Sequence, residues 1–457
     1  MGNYRPISLL PVASKILEKI MHVRLYSFLN KKGFFYENQF GFRREHSTDQ
    51  AAIVMTDKVT KALNKNLKVA SVFLDMSKAF DCVDHNILLH KLYKCGIRGV
   101  AFSWFVSYLT GRYQKVFVNG ILSENTCLIK HGVPQGSILG PLLYLIYVND
   151  CNNCLEHSNS ILYADDTTLV FVAKTYETLY RLINSDLEKL YNWLCYNKLT
   201  VNASKTKFMI FTKSTRTAKL TGNPMIKLNG VEIEKVESFR FLGLTIDQNL
   251  SWKLHMREVL TKIQRNLGIV RKIARFLDRH SLFQLFHSLI MSHVRNNIVV
   301  WHHGHKALRK KIQACANKFL RVVFFLKPRD SVREIMKENN ILSVNQIFHL
   351  EVSKIMQKVA LGTAIPAFLS LFRNQKKTNE IMSKAITNFT QGVPGSTKCG
   401  QSITFLGPSV WNSLPSAVKK KGTYGVNTRD NSVLAEPLKF DIFLSKLKKH
   451  AFQFDFI

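Results

Sequence analysis

The sequence predicts an α+β fold, a largely antiparallel sheet with helices behind it, and three features carry that expectation. A short apolar run, Val69–Leu74, ends at an acid and has the length of a buried strand. The stretch Ile161–Val172 is apolar on both sides of Asp165-Asp166, as two strands meeting at an acidic turn would be. Helical periods frame these strands at Val12–Phe28, from Thr175 through Trp193, and over Ser251–Leu277.

In chain order, the first helix offers Ile16, Leu17, Ile20 and Leu25 as its apolar residues. Asp84 is placed to cap a helix over Asn86–Leu92, its carboxylate accepting otherwise orphaned N–H groups. Gln114–Val118 and Cys127–Lys130 read as two hairpin strands around Asn119-Gly120, a pair that tolerates the positive φ of a tight turn. Ser137–Val148 reads as an apolar helix after a Pro-Gln-Gly turn, and Lys207–Thr212 as a further strand. The 251–277 segment, one helix or a helix pair, sets Lys253, Arg257, Lys262, Arg265, Arg271, Lys272 and Arg275 around an apolar stripe. Gly, Ser, Thr and Asn cluster over Leu361–Gly425, predicting looser structure before a basic amphipathic helix at Leu438–Phe452. There is no internal repeat.

At 457 residues the chain has room for two or three subdomains. Its 46% hydrophobic and 21% charged residues argue against wholesale disorder. The charge is lopsided: 65 Lys and Arg against 31 Asp and Glu leave +34, which favours polyanionic partners, phosphate backbones above all. Eight cysteines at irregular positions, with no signal peptide ahead of them, read as reduced thiols in an intracellular compartment. The longest apolar stretches, such as Ile138–Val148, are too short to span a bilayer, so no membrane partner is expected.

The chemistry centres on Phe73-Leu74-Asp75-Met76 and Tyr163-Ala164-Asp165-Asp166. Joining a 3′-hydroxyl to an α-phosphate needs an activated nucleophile and a stabilised phosphorus centre, which two divalent ions ~3.5–4 Å apart can supply. Mg2+ prefers carboxylates and phosphate oxygens, so the acids must sit on adjacent rigid elements. An Asp-Asp pair alone is more often a solvated turn. Here the arms Ile161-Leu162-Tyr163 and Leu169-Val170-Phe171 are apolar enough to bury and leave the acids at the bend. Two other clusters read as ordinary: Cys151-Asn152-Asn153-Cys154 with His157 as a loop, and His302, His303 and His305 as an exposed polar turn.

The segment Phe73-Leu74-Asp75-Met76-Ser77-Lys78-Ala79-Phe80-Asp81 resembles the first palm motif of reverse transcriptases, in the form found in non-LTR retrotransposons. Gly132-Val133-Pro134-Gln135-Gly136-Ser137 resembles the second, Tyr163-Ala164-Asp165-Asp166 the third, Leu199–Thr206 the fourth and Phe241-Leu242-Gly243 the fifth. Tyr4-Arg5-Pro6-Ile7-Ser8 and Gln39-Phe40-Gly41-Phe42-Arg43 resemble fingers segments. Gly407-Pro408-Ser409-Val410-Trp411 is similar to the C-terminal region of Jockey- and CR1-like elements.

This resemblance implies a right-hand polymerase fold: fingers over 1–68, palm with a fingers insertion over 69–246, a helical thumb over 247–330 and a C-terminal extension over 331–457. It implies that Asp75 and Asp165 are the principal ligands of two Mg2+ ions (Mn2+ as a substitute), with Asp166 and the Met76 carbonyl in support. Phe80 would be the steric gate that excludes a 2′-hydroxyl. Gln135 and Gly136 would border the incoming nucleotide, and Arg5 would grip its triphosphate. Lys205 would protonate the departing pyrophosphate, Arg43 would touch the template backbone, and Phe241-Leu242-Gly243 would be the primer grip. The implied substrates are dNTPs, an RNA template and a DNA primer at nicked target DNA.

The implied location is nucleus and cytoplasm, as a ribonucleoprotein; Lys419-Lys420-Lys421 is a short candidate nuclear signal. The family carries a basic strand and arm before the Tyr-Arg-Pro-Ile segment, and an N-terminal endonuclease, so the start reads as truncated. That leaves open a transposon-derived nucleic-acid-binding protein without catalysis. A palm-fold enzyme of another kind, such as a nucleotidyl cyclase, also stays open.

Overall fold

The structure, a computed structural model, describes residues 7–213, 225–372, 389, 402–419, 443–448 and 450. The chain divides into two compact units: residues 1–51 with 66–237, and residues 52–65 with 238–457.

In the first unit, helix α1 (Val12–Lys31) and the start of α2 (Thr48–Asn64) precede β1 (Lys68–Ser77), α3 (His85–Lys94) and α4 (Gly99–Leu109). Four short strands follow, β2 (Tyr113–Gln114), β3 (Phe117–Val118), β4 (Ile121–Leu122) and β5 (Cys127–Leu128), and then α5 (Gly140–Val148). Next come β6 (Asn159–Tyr163), β7 (Asp166–Ala173), α6 (Tyr176–Tyr196), β8 (Thr200–Val201) and β9 (Lys207–Phe211). The small strands β10 (Lys227–Leu228), β11 (Val231–Glu232) and β12 (Glu234–Lys235) complete the unit.

The sheet runs β12-β9-β1-β7-β6, with β8 paired to the end of β1. All of its pairings are antiparallel except β12 with β9, as the α+β expectation required. β1 is the central strand, and Val69, Ala70, Ser71 and Val72 are fully buried in it. A strand covered on both faces needs a continuous apolar run, which is why this one shows no alternation. Ala70, Val72 and Leu74 join a core with Leu88 and Leu92 of α3 and Ile183, Leu187 and Leu190 of α6. Every α5 residue from Leu142 to Val148 is also buried, so that helix is apolar on all sides. Each fully buried Leu or Ile there contributes ~1.5–3 kcal/mol.

Three expectations need correction in this unit. Ile16, Leu17 and Ile20 of α1 are 57%, 55% and 46% exposed, while Glu18, Leu25, Tyr26 and Leu29 face inward. The polar contact decides the face: the Glu18 carboxylate accepts the N–H groups of Ile138 (2.7 Å) and Leu139 (3.4 Å) and the Tyr108 hydroxyl (3.0 Å). An unpaired carboxylate could not be buried there, and this one is fully used. The Asn119-Gly120 turn does form, but it joins β3 to β4, while β2 pairs with β5 as a separate ladder. The Cys151–Cys154 segment is a 3-10 helix rather than a loop, with the Cys154 thiol donating to the Cys151 carbonyl.

In the second unit, β13 (Ser238–Phe241) and β14 (Leu244–Asp247) form a hairpin ahead of α7 (Lys253–Ile273). Then follow α8 (Arg279–Phe286), α9 (Ser292–Arg295), α10 (Ile298–Trp301), α11 (Lys306–Val323), α12 (Arg333–Glu338), α13 (Val344–Leu361), α14 (Pro366–Leu371), α15 (Ile403–Ser413) and α16 (Ser416–Lys419). Asp247 anchors the start of α7 by accepting N–H groups from Asn249, Ser251 and Trp252. One face of α7 buries Met256, Val259, Ile263, Leu267 and Val270, and the helix packs on α11. Lys253, Arg257, Arg265, Arg271 and Lys272 stay exposed, as the basic-stripe reading expected.

The described part of the expected loose segment includes helices α14, α15 and α16. Gly407-Pro408-Ser409-Val410-Trp411 lies inside α15, where Gly407 packs against Met356 of α13. The hydroxyls of Ser402 and Thr404 donate to the buried Asp57 carboxylate of α2. Of the expected helix Leu438–Phe452, residues 443–448 are helical and much of the rest lies outside the described residues, as do Lys420 and Lys421.

His302 is also a correction. It is 5% exposed and stacks on Phe348 with ring centroids 4.1 Å apart, because the turn after α10 folds beneath α13. Burial, with Arg309 nearby, lowers the pKa of His303 to about 4, and burial does the same for His349. His255 is likewise lowered to about 4, by burial and then by Lys262 and Arg240. A folded-state pKa below the unfolded value means the stabilising contribution is complete above pH ~6.5 and is lost as pH falls toward the folded values. The thermal midpoint of the chain is therefore expected to drop between about pH 6.5 and 4, and His303→Phe should flatten that drop.

Candidate active site

The two acidic segments meet at one end of the sheet. In the β1–β7 ladder Asp75 lies directly opposite Asp166, and in the β6–β7 ladder Tyr163 is the partner of Asp166. Opposed antiparallel residues have Cα atoms ~4.5–5.5 Å apart. Ala164 and Asp165 form the two-residue turn between β6 and β7. Local sequence explains this shape: the apolar arms Ile161-Leu162 and Leu169-Val170-Phe171 are buried, which leaves the acids at the rim. The Asp75 side chain is 41% exposed, Asp165 is half-buried and Asp166 is exposed.

The fourth motif is tied to the same edge. β8 pairs with Met76 and Ser77, and the Asn202 N–H donates to the Asp75 carbonyl at 2.8 Å. This carries Lys205 over the site, its Nζ 3.9 Å from an Asp75 carboxylate oxygen. Lys205 is 70% exposed, so the pair is weak in water and the ammonium stays accessible to an anion.

The first and second motifs zip together. Gly132 donates to the Val83 carbonyl at 2.7 Å, Val133 to the Phe80 carbonyl at 2.9 Å, and the His85 ring bonds the Gly132 carbonyl at 2.8 Å. Gly132 has φ +87, and a Cβ there would stand 2.9 Å from the Asp81 carbonyl oxygen, so the close approach needs glycine. The Gln135 amide donates to an Asp81 carboxylate oxygen at 2.8 Å, and Gly136, at φ +104, faces Ser8. The half-buried Phe80 ring lies 4.7 Å from Tyr144 and 5.9 Å edge-on from Phe42, by centroids.

Other predicted residues fall elsewhere. Arg5 lies outside the described residues. Arg43 is turned inward: its guanidinium sits over the Phe35 ring at 5.3 Å and donates to the Tyr36 carbonyl at 2.9 Å. Phe241-Leu242-Gly243 belongs to the second unit, where Leu242 (φ +47) and Gly243 (φ +84) make the β13–β14 turn.

Sequence reasoning missed Tyr144. It is fully buried on α5, and burial, reinforced by the charge of Asp165, pushes its phenol far above the usual range. Its contact with the Phe80 ring could not be read from an all-apolar helix.

The donor set suits a hard divalent cation. Among the described residues no three His, Cys, Asp or Glu side chains converge as a ready-made metal cage. Mg2+ sites built from one or two carboxylates and completed by substrate phosphates need none. The acids at this edge are all carboxylates and remain open to solvent, which fits that kind of site.

The family described as "Reverse transcriptase (RNA-dependent DNA polymerase)" matches residues 1–246. The chain is 28% identical over 330 residues to a Drosophila melanogaster protein named "Probable RNA-directed DNA polymerase from transposon X-element", covering 70% of this chain and 36% of that protein. It is 26% identical over 350 residues to the "RNA-directed DNA polymerase from mobile element jockey" of the same fly, covering 73% and 37%. It thus spans little more than a third of the length of these curated relatives. Among solved structures, a Candida albicans telomerase in complex with a fragment of telomeric RNA aligns with TM-score 0.37 at 15% identity, covering 73% of this chain and 59% of that one. That likeness is too distant to carry residue roles. With a family match over more than half its length and the family's acidic segments adjacent on one sheet, the chain belongs to the reverse transcriptases.

Proposed function

We propose that this chain is the catalytic core of an RNA-directed DNA polymerase of a non-LTR retrotransposon. The observation that carries the reading is the ladder register that sets Asp75 opposite Asp166, beside the Asp165 turn. In the reaction the primer 3′-hydroxyl gives its proton to solvent, its oxygen bonds the α-phosphorus of a dNTP, and the bond from that phosphorus to the α–β bridging oxygen breaks to release pyrophosphate. Two Mg2+ ions, when bound, supply Lewis-acid activation of that hydroxyl and neutralise phosphate charge.

Asp75 and Asp165 would hold the ions, with Asp166 and the Met76 carbonyl in support. Lys205 is placed to donate a proton to pyrophosphate; its reach across the Asp75 carboxylate supports that role. Phe80 would lie beneath the sugar as the gate, and Gln135 and Gly136 beside the nucleotide. Arg5 would hold the triphosphate, and Arg43 would shape the fingers through the Tyr36 carbonyl it binds. Residues 1–68 would act as fingers, 69–246 as palm, 247–330 as a thumb whose exposed α7 lysines and arginines track a duplex, with Phe241-Leu242-Gly243 at the primer end and 331–457 as an extension. Target-primed copying of RNA, and residence in nucleus and cytoplasm as a ribonucleoprotein, complete the proposal.

The purified chain is expected to extend oligo(dT) on poly(rA) with dTTP and Mg2+, in a template-dependent way. Tight primer–template binding with no extension under Mg2+ or Mn2+ would instead favour a nucleic-acid-binding protein without catalysis.

A further inference from the structure

The bend that presents Asp165 and Asp166 does not stand by itself. Ala164 is the first residue of the two-residue turn and has φ +58, a position that glycine usually takes in a tight hairpin of this pattern. An alanine there is stable only where its surroundings over-determine the conformation.

Those surroundings come from the Gln39–Arg43 segment. The Phe40 N–H donates to the Leu162 carbonyl at 2.7 Å, and the Leu162 N–H to the Asn38 carbonyl at 2.9 Å, so the segment lies along the outer edge of β6. Gln39 is 3% exposed, and its side-chain carbonyl oxygen accepts two backbone N–H groups, Gly41 at 2.9 Å and Ala164 at 3.3 Å. Gly41 closes the contact from the other side. A Cβ on it would stand 2.8 Å from the Tyr163 carbonyl carbon and closer still to the Ala164 nitrogen. Backbone cannot yield at that distance, so only glycine lets the two chains meet.

We propose that Gln39 and Gly41 are positioning residues for the acidic bend: the buried carboxamide and the bare glycine edge hold Ala164 in its left-handed conformation and so fix where Asp165 and Asp166 stand relative to Asp75. The catalytic consequence rests on the polymerase reading above; the conformational claim stands without it. Gln39 touches neither substrate nor reacting atoms and acts through the turn.

The test compares the full chain with its Gln39→Met, Gln39→Glu and Gly41→Ala variants. Met keeps the length of Gln but removes the acceptor, whereas Glu keeps the acceptor. The first readout is backbone hydrogen exchange without metal or substrate. Protection across residues 161–166 is expected to fall by about tenfold in Gln39→Met and Gly41→Ala, to be largely retained in Gln39→Glu, and to stay unchanged in the β1–β9 ladder. The second readout is Mn2+ binding by electron paramagnetic resonance, where the half-saturating concentration should rise in Gln39→Met and Gly41→Ala. No change in exchange at 161–166, or an equal loss throughout the sheet, overturns the proposal, since Gln39 would then be idle or a general core residue. If the wild-type chain fails to extend primers while exchange behaves as stated, the polymerase reading falls and the positioning claim does not.

Discussion

Replacing Asp165 by Ala is expected to lower the single-turnover rate of primer extension by ~10³-fold or more, equivalent to about 4 kcal/mol of transition-state stabilisation. Folding should hardly notice. Asp165 sits half-exposed in a two-residue turn, beside Asp166 and across from the strand that carries Asp75, so its removal relieves like-charge repulsion among these carboxylates. Surface positions of this kind change stability by about 0.5 kcal/mol at most. A thermal midpoint near that of the wild type together with a collapsed rate separates a role in chemistry from a role in folding. A variant that still extends within about threefold of the wild type would remove Asp165 from the catalytic set.

The second large effect concerns sugar selection. Phe80→Val is expected to relax discrimination against ribonucleotides by roughly 10–100-fold, measured as the ratio of kcat/KM for dTTP and UTP. The ring is held by Tyr144 at 4.7 Å and Phe42 at 5.9 Å, which leaves it rigid enough to act as a steric floor. Shrinking it also opens space in that aromatic cluster, costing about 1–3 kcal/mol of stability. Loss of stability with unchanged sugar preference would reduce Phe80 to a packing residue.

Much of this was legible in the sequence because the relevant signals are local. Asp84 caps α3 by accepting the Ile87 N–H at 3.0 Å, a position that residue type announces, and the helical period from Thr175 marks α6. The acidic hairpin was legible because apolar arms flank a charged bend, so burial and exposure assign themselves. What stayed hidden depends on partners distant in the chain. The inward face of α1 is chosen by Glu18, whose partners Ile138 and Leu139 lie about a quarter of the chain away. His302 reads as a polar turn until Phe348 stacks on it. Arg43 offers a charge for nucleic acid in sequence, yet the fold gives its guanidinium to the Tyr36 carbonyl. Gln39 and Gly41 stand out in the sequence only as part of a segment that resembles the fingers, and their contact with Ala164 exists only after β6 has formed.

One observation probes the shared site without relying on turnover. With Mg2+ replaced by Fe2+ and with hydrogen peroxide and ascorbate added, the bound Fe2+ reduces peroxide to hydroxide and a hydroxyl radical that cuts the nearby backbone, and ascorbate returns the Fe3+ to Fe2+. Two sites of cleavage are expected in the same molecule population, one around residue 75 and one around residues 163–166, both competed by Mg2+ and both lost in Asp165→Ala. Cleavage at one segment alone, or cleavage that persists unchanged in that variant, would contradict an ion held jointly by the two strands.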